Sequence, residues 1–415
     1  MSKIKTAVKG LFFGLLALDI AVFSMIIFLN VTVSRQYKIT RGELLSIRAP
    51  VPISAEYNGA VLSQTTDKTP VGTTFDVDLK MFGAIPFSTV EVEVVDEMYV
   101  AVLGQPFGIK LYTDGVLVIE LSDVETADGS FCPAKKAGVQ VGDFIQTANG
   151  QPVTCNEDLV GIVADSAGEP IELHILRNGK QHTCTVRPVF STESSSYRIG
   201  LWVRDSTAGI GTLTFYSPAN DTVCGLGHGI CDEDTGTLMT LEAGEMVPAD
   251  IAAVDKGKCG SPGELHGSFA GGTIAAITEN AENGIYGMPK GKLQFSTLTE
   301  VALKQEVRNG EAQILCTVDG DTPKLYRCTV KKRNENYRAD TQNLTVTVTD
   351  PELLQKTGGI VQGMSGSPIL QNGKLIGAVT HVLVDDPTTG YGIFAENMLE
   401  TAQGVAGKNE LKDAS

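Results

Sequence analysis

The chain has no C-x-x-C pair, no block of basic residues beyond its N-terminus, and only five histidines in 415 residues. Each shortage removes a class of function. Without paired cysteines, a zinc ribbon or a thioredoxin-type redox site has nothing to build on. Without clustered Lys and Arg, and with a formal net charge of -16, phosphates would go unneutralised, so no nucleic-acid partner is expected. The grouping Cys224, His228 and Cys231 lacks a fourth ligand nearby, so neither a metal nor a cofactor is expected. Aromatic residues are scarce at 6 %, against 45 glycines, a balance that suits β-rich domains with many turns. The eight cysteines are scattered. Their even number permits disulfides outside the cytoplasm, but the pairing cannot be read from spacing.

A long apolar run is present once, at the start. From Gly10 to Val33 the chain exceeds the roughly 20 residues that cross a bilayer. Lys3, Lys5 and Lys9 precede or open it, which places the N-terminus in the cytoplasm and everything after Arg35 outside. No Ala-x-Ala site lies before Arg35, so an uncleaved anchor is expected rather than a signal peptide. Asp19 in mid-span is costly unless paired. Two or three domains are expected for this length: an anchor over 1–35, a β-rich stalk over 36–97, a third unit over 98–190 and a fourth over 191–415. In the stalk, Phe87 and its surroundings are a candidate site of release by self-cleavage.

The third unit has a recognisable plan. Phe107-Gly108-Ile109-Lys110-Leu111 is followed by Gly115-Val116-Leu117-Val118-Ile119, and a helix start over Cys132–Gly138 leads into Val141-Gly142-Asp143-Phe144-Ile145. Asn149-Gly150-Gln151-Pro152-Val153, a polar helix after Asn156 and the strand pair 171–176 and 182–188 complete it. This order resembles a PDZ domain of the bacterial protease-associated type. The resemblance implies that an extended peptide adds a strand to the sheet, and it places Phe107, Gly108 and Ile109 along the groove.

The fourth unit reads as many short strands separated by Gly, Pro and Asn, which argues for a barrel or sandwich. Within it, Gly363-Met364-Ser365-Gly366-Ser367-Pro368 is followed by Ile369-Leu370, an Asn372-Gly373 turn and Ile376–Val379. Asn-Gly between apolar runs is a strong hairpin signal. A nucleophilic serine needs a side-chain-poor turn, so that its Oγ projects and nearby N–H groups converge on an oxyanion. It also needs a base. His228, isolated among glycines in Gly225–Ile230, is the leading candidate, and His381 at the end of the hairpin strand is the rival. His174 and His182 are expected to face solvent, and His266 to have a hydrogen-bonding structural role. The orienting acid is harder to choose among 49 carboxylates. Asp350 stands out before Pro351, where it equally suits a helix N-cap; Asp250 and Asp255 are alternatives.

Trp202-Val203-Arg204-Asp205, Gly225-Leu226-Gly227-His228 and Thr357–Pro368 together resemble the stage IV sporulation protein B serine peptidase family. The order of anchor, PDZ and peptidase matches it as well. The resemblance implies a chymotrypsin-like β-barrel peptidase, within a mainly β chain, whose catalytic residues fall on His228, Asp350 and Ser365. By analogy with the G-x-S-G turn, Gly363 and Ser365 would supply the oxyanion N–H groups. It further implies a role in endospore formation: cleavage of itself and of a membrane-bound regulator of an intramembrane protease, in the space between the two spore membranes. Met364 stands where trypsin-like enzymes place an Asp that pairs with a freed N-terminus, so activation by such an ion pair is not expected. A non-catalytic PDZ adaptor with a degenerate barrel is the alternative. A quality-control protease of the HtrA type would place its PDZ domain after the catalytic one.

Overall fold

The computed structural model describes residues 2–43, 45, 47, 49–58, 60–61, 69–293, 295, 297–333 and 341–413. The apolar run forms one helix, α1 (Ser2–Thr32). Its 23-residue stretch Gly10–Thr32 is long and apolar enough to cross a membrane, about 34 Å at the α-helical rise. Leu29 and Val33, at its end, are buried in the core of a five-stranded sheet that follows. In that sheet the strand Ile85–Val95 alternates, burying Val90, Val92 and Val94, as its apolar/acidic alternation requires. Phe87 lies inside this strand, packed on the core, and its carbonyl accepts a hydrogen bond from Asn30 Nδ2 at 2.9 Å. It is therefore not an exposed cleavage point: a protease reads an extended, unpaired segment, and this one is already paired. The sheet docks on the rest of the molecule through Lys38, which pairs with Glu400 and with the buried Glu396 at 3.3 Å.

Beyond it, two rings of six strands are built from residues far apart in the chain. The first comprises β1 (Pro106–Leu121), β2 (Leu201–Ser217), β3 (Thr222–Gly225), β4 (Ala243–Asp255), β5 (Ala275–Ala281) and β6 (Gly284–Pro289). They pair in the cycle β1-β4-β5-β6-β3-β2 and back to β1. The second is a closed barrel of β7 (Gly310–Cys316), β8 (Lys324–Lys332), β9 (Leu344–Val348), β10 (Pro368–Gln371), β11 (Lys374–Leu383) and β12 (Asp386–Phe394). The mainly β class and the barrel are thus as expected. The Asn372-Gly373 hairpin forms with φ of 52° and 81° at its two turn residues, the positive values that such a two-residue turn demands.

The PDZ unit is inserted into the first ring. β1 bends at Gly115 (φ 87°), where a Cβ would lie 2.6 Å from the Ile145 carbonyl. Its first half belongs to the ring. Its second half pairs with the strand Phe144–Ala148, and beyond that lie Ile171–Arg177 and Lys180–Val186. The helix α2 (Asn156–Asp165) covers their apolar face. The chain then returns through β2, whose first residues Leu201–Arg204 pair with Leu117–Leu121 of the PDZ half of β1. The sheets therefore do not divide at residues 98 and 191.

The PDZ unit also contains a buried carboxylate with one cationic partner. The carboxylate of Asp143, 1 % exposed, receives both Arg177 Nε at 2.6 Å and Arg177 Nη2 at 2.7 Å, and also the Gln140 N–H. Arg177→Ala strands a buried charge, so we expect a loss of about 3–5 kcal/mol, measured by denaturant unfolding of the full chain.

Candidate active site

A cavity of about 420 Å³ opens between the two rings, with His228, Leu226 and Ile210 on one side and Gly363, Ser365 and His381 on the other. The serine and the favoured histidine therefore share one cleft. All eight cysteines are free thiols, and among the described residues no cluster of His, Cys, Asp or Glu could hold a metal.

The serine turn follows α3 (Pro351–Thr357) and precedes β10. Gly366 (φ 93°) is required by close approach, because a Cβ there would lie 2.0 Å from the Thr212 carbonyl and 2.5 Å from the Leu226 nitrogen. The turn thus rests on β2 and on the histidine loop at once. Thr212 grips it further: its N–H donates to the Ser365 carbonyl at 2.9 Å and its Oγ1 to the Gly363 carbonyl at 2.9 Å. Thr214 Oγ1 donates to the Gly366 carbonyl at 2.8 Å. These contacts orient the peptide planes, and they leave the N–H groups of Gly363 and Ser365 with no acceptor among the described residues. Met364 is fully buried, an apolar plug where a trypsin-like enzyme has its activating Asp.

His228 is delivered by a strained turn. Leu226 (φ 66°) and Gly227 (φ 71°) are consecutive left-handed residues, and a non-glycine in that region costs about 1–3 kcal/mol. His228 Nδ1 lies 2.8 Å from the Gly229 carbonyl. A carbonyl only accepts, so this contact puts the proton on Nδ1 and leaves Nε2 as the basic nitrogen. Burial pushes the imidazole below its ordinary pKa, with the Gly229 carbonyl opposing. The ring of His381 lies 4.7 Å away, tilted by 33°. Its own pKa is lowered by desolvation and by repulsion from His228. The neutral base therefore persists into mildly acidic solution. We expect the acid limb of the activity profile to have its midpoint below about 6.5, the ordinary imidazole value, measured as the rate of ester hydrolysis against pH.

The other residues fall as follows. Ser365 Oγ donates to the Thr380 carbonyl at 2.7 Å, so the hydroxyl must turn from this acceptor before a base can take its proton. Asp350 is not brought to the cleft. It is the N-cap of α3, accepting from the N–H groups of Glu352 (3.0 Å) and Leu353 (3.5 Å), and it also takes the Arg327 N–H at 3.2 Å. Desolvation raises its pKa, but these donors outweigh it and hold the carboxyl below the ordinary range. Asp255 pairs instead with His266 at 2.9 Å, and Asp250 is exposed. Among the described residues no carboxylate bonds to His228. Placing the triad acid at Asp350 therefore needs correction in this structure: its lone pairs are committed to a helix cap and a strand end.

Phe107, Gly108 and Ile109 also need correction. They lie in the ring half of β1, where both edges are taken, by Gly209–Gly211 of β2 and by Met246–Pro248 of β4. Phe107 is fully buried, and a Cβ on Gly108 would meet the Phe269 ring at 2.4 Å. No peptide can add a strand there. The PDZ unit has another groove, of about 350 Å³, between α2 (Leu159, Val160, Val163) and the start of β2 (Gly200, Leu201, Trp202). Trp202 is 61 % and Val160 45 % exposed. At its head Gly200 has φ 79°, and neither Ile199 N–H nor Gly200 N–H donates to another described group. The sequence signal for it was the Ile-Gly-Leu-Trp-Val run, which lies past the last strand of the unit.

Comparison with known proteins places two families on the chain. Residues 195–399 match the SpoIVB peptidase S55 family and residues 102–187 the PDZ domain family. A probable periplasmic serine endoprotease, DegP-like, of Pseudomonas putida (strain GB-1) is 37 % identical over 91 residues, 18 % of this chain and 19 % of that protein. A putative zinc metalloprotease of Bartonella henselae is 34 % identical over 91 residues, 21 % of this chain and 25 % of that protein. The chain thus spans a quarter or less of these relatives, and since they belong to two catalytic classes, these matches carry no catalytic chemistry. A thermostable serine protease from an extremophilic microorganism aligns with 47 % of this chain and 91 % of its own, at 13 % identity and a TM-score of 0.28. Through residues 195–399, which hold both the His228 loop and the Ser365 turn, and with a PDZ domain beside them, the chain carries the peptidase domain of the SpoIVB peptidase S55 family.

Proposed function

We propose that the protein is a membrane-anchored serine endopeptidase. One observation carries the reading. A serine with two unpartnered N–H groups beside it shares a cleft with a histidine whose basic nitrogen is Nε2. In the reaction, His228 Nε2 takes the Ser365 hydroxyl proton as Oγ bonds to the carbonyl carbon of the scissile peptide. The N–H groups of Gly363 and Ser365 donate to the resulting oxyanion. His228 then gives its proton to the departing amine; water, deprotonated by the same nitrogen, attacks the acyl carbon, and the proton returns to Ser365 Oγ as the acid departs. The Gly229 carbonyl fixes the tautomer, a task that an aspartate performs in the familiar triad.

The groove beside Leu201–Val203 takes an extended peptide that adds a strand to this edge. Its terminal carboxylate sits on the N–H groups of Ile199 and Gly200. The helix Gly10–Thr32 anchors the enzyme with its catalytic rings outside the cytoplasm. The family resemblance supports a finer role: cleavage of itself and of a membrane-bound regulator of an intramembrane protease in the intermembrane space of a developing spore.

The test is labelling of the full chain, held in detergent, with a serine-directed alkyl phosphonate. Modification mapped to Ser365 supports the reading. Absence of labelling in protein that melts cooperatively sinks it, and leaves the PDZ adaptor.

A further inference from the structure

The loop that carries the Gly229 carbonyl is held from two sides. Asn280, 9 % exposed, accepts the Ile230 N–H at 2.8 Å and donates to the carbonyls of Ile230 and Met239 at 3.0 and 2.8 Å. Gly229 N–H donates to the Glu282 carbonyl at 3.0 Å. Between residues 230 and 239 the loop closes on itself. Met239 N–H donates to Ile230 O, Asp232 N–H to Thr237 O, and Asp232 Oδ1 accepts from Asp234 N–H, Thr235 N–H and Thr235 Oγ1. Asp232, with no exposed side-chain surface, is the hub of this closure. Its remaining oxygen, Oδ2, accepts from Arg204 Nη1, and Arg204 Nη2 donates to Asp234 Oδ2 at 2.8 Å.

We propose that Arg204 is a positioning residue for His228. Its fork holds Asp232 and Asp234, they hold the closed loop, and the loop holds the carbonyl that fixes the imidazole. Arg204 directly follows the Leu201–Val203 edge that lines the PDZ groove, and its neighbour Asp205 accepts the Asn156 N–H at the start of α2. The catalytic base is thus tied to the peptide-binding edge by one side chain. A planar guanidinium is needed because two carboxylates are gripped in a fixed geometry.

The proposal rests on the serine peptidase reading, and phosphonate labelling of the full chain separates the two. If wild type is not labelled at Ser365, that reading fails and takes this one with it. If wild type is labelled, we expect Arg204→Gln to lower the limiting labelling rate by about 10- to 100-fold with little change in the half-saturating concentration, since a misplaced base costs rate rather than binding. Arg204→Lys, which keeps the charge but not the fork, should recover part of the loss. Arg204→Gln combined with Asp232→Asn should melt higher than Arg204→Gln alone, because no buried carboxylate is left unpaired. Three results overturn the assignment. One is a rate within about twofold of wild type; another is a change confined to half-saturation; the third is a loss that merely tracks the unfolded fraction. Should Arg204→Gln fail to fold, Arg204→Lys decides alone: a rate reduced by more than about fivefold supports the role, and a smaller change overturns it.

Discussion

Replacing Ser365 by alanine is expected to lower peptide-bond cleavage by about 10⁴- to 10⁶-fold, because removal of a nucleophile leaves only binding and oxyanion stabilisation to act on water. The reason is local. The turn offers a second hydroxyl, Ser367, but that side chain is fully buried and its Oγ donates to the Met364 carbonyl at 2.6 Å. It braces the turn and cannot reach a substrate. Ser367→Ala should therefore keep most of the activity and cost about 1 kcal/mol of stability, the net worth of a hydrogen bond. The rate to follow is the proposed cleavage of the full chain by itself, with the new N-termini sequenced. Equal fragmentation of wild type and Ser365→Ala would exclude Ser365. Loss of cleavage in Ser367→Ala, with the fold intact, would move the nucleophile two residues along.

Local signals were enough to find this turn. Asn372-Gly373 specifies its hairpin through two positive φ angles, and glycines around His228 and Ser365 specify loops that approach other backbone closely. The close approach itself, Gly366 against Thr212 and Leu226, pairs residues about 150 positions apart and has no trace in either segment. The same holds for Phe-Gly-Ile at 107–109. An apolar strand buried on both faces reads alike whether its partner is a PDZ strand or a barrel strand, and here the partner begins about a hundred residues later, in β2. The PDZ groove was missed for that reason: its wall is the first half of the returning strand. The supports of the histidine, Arg204, Asp232 and Asn280, are polar residues in three separate segments. Only folding makes them one network.

His228 and Asp350 should separate sharply under substitution. His228→Gln removes the basic Nε2, whose tautomer the Gly229 carbonyl fixes through Nδ1, and we expect the cleavage rate to fall by about 10⁴-fold or more. Asp350→Asn is expected to leave it within a few-fold, about threefold or less, since asparagine caps a helix as well as aspartate does. In a Ser-His-Asp triad the equivalent change, acid to amide, costs about 10⁴ in rate by inverting the tautomer. The two readings thus differ by orders of magnitude in a single assay. Asp350→Ala, which removes the cap, should lower stability by about 1 kcal/mol without selectively lowering the rate. The pH dependence provides a second check. The Asp350 carboxyl has a folded-state pKa below its ordinary value. Its contribution to stability is therefore present above about 3.9 and is lost as pH falls through the folded value. That is an acid-denaturation effect of the carboxyl itself. A triad acid would instead couple to the histidine, and its loss would move the acid limb of the rate profile. A shift of that limb in Asp350→Asn, together with a rate loss near 10⁴-fold, would falsify the cap assignment and restore Asp350 to the catalytic site.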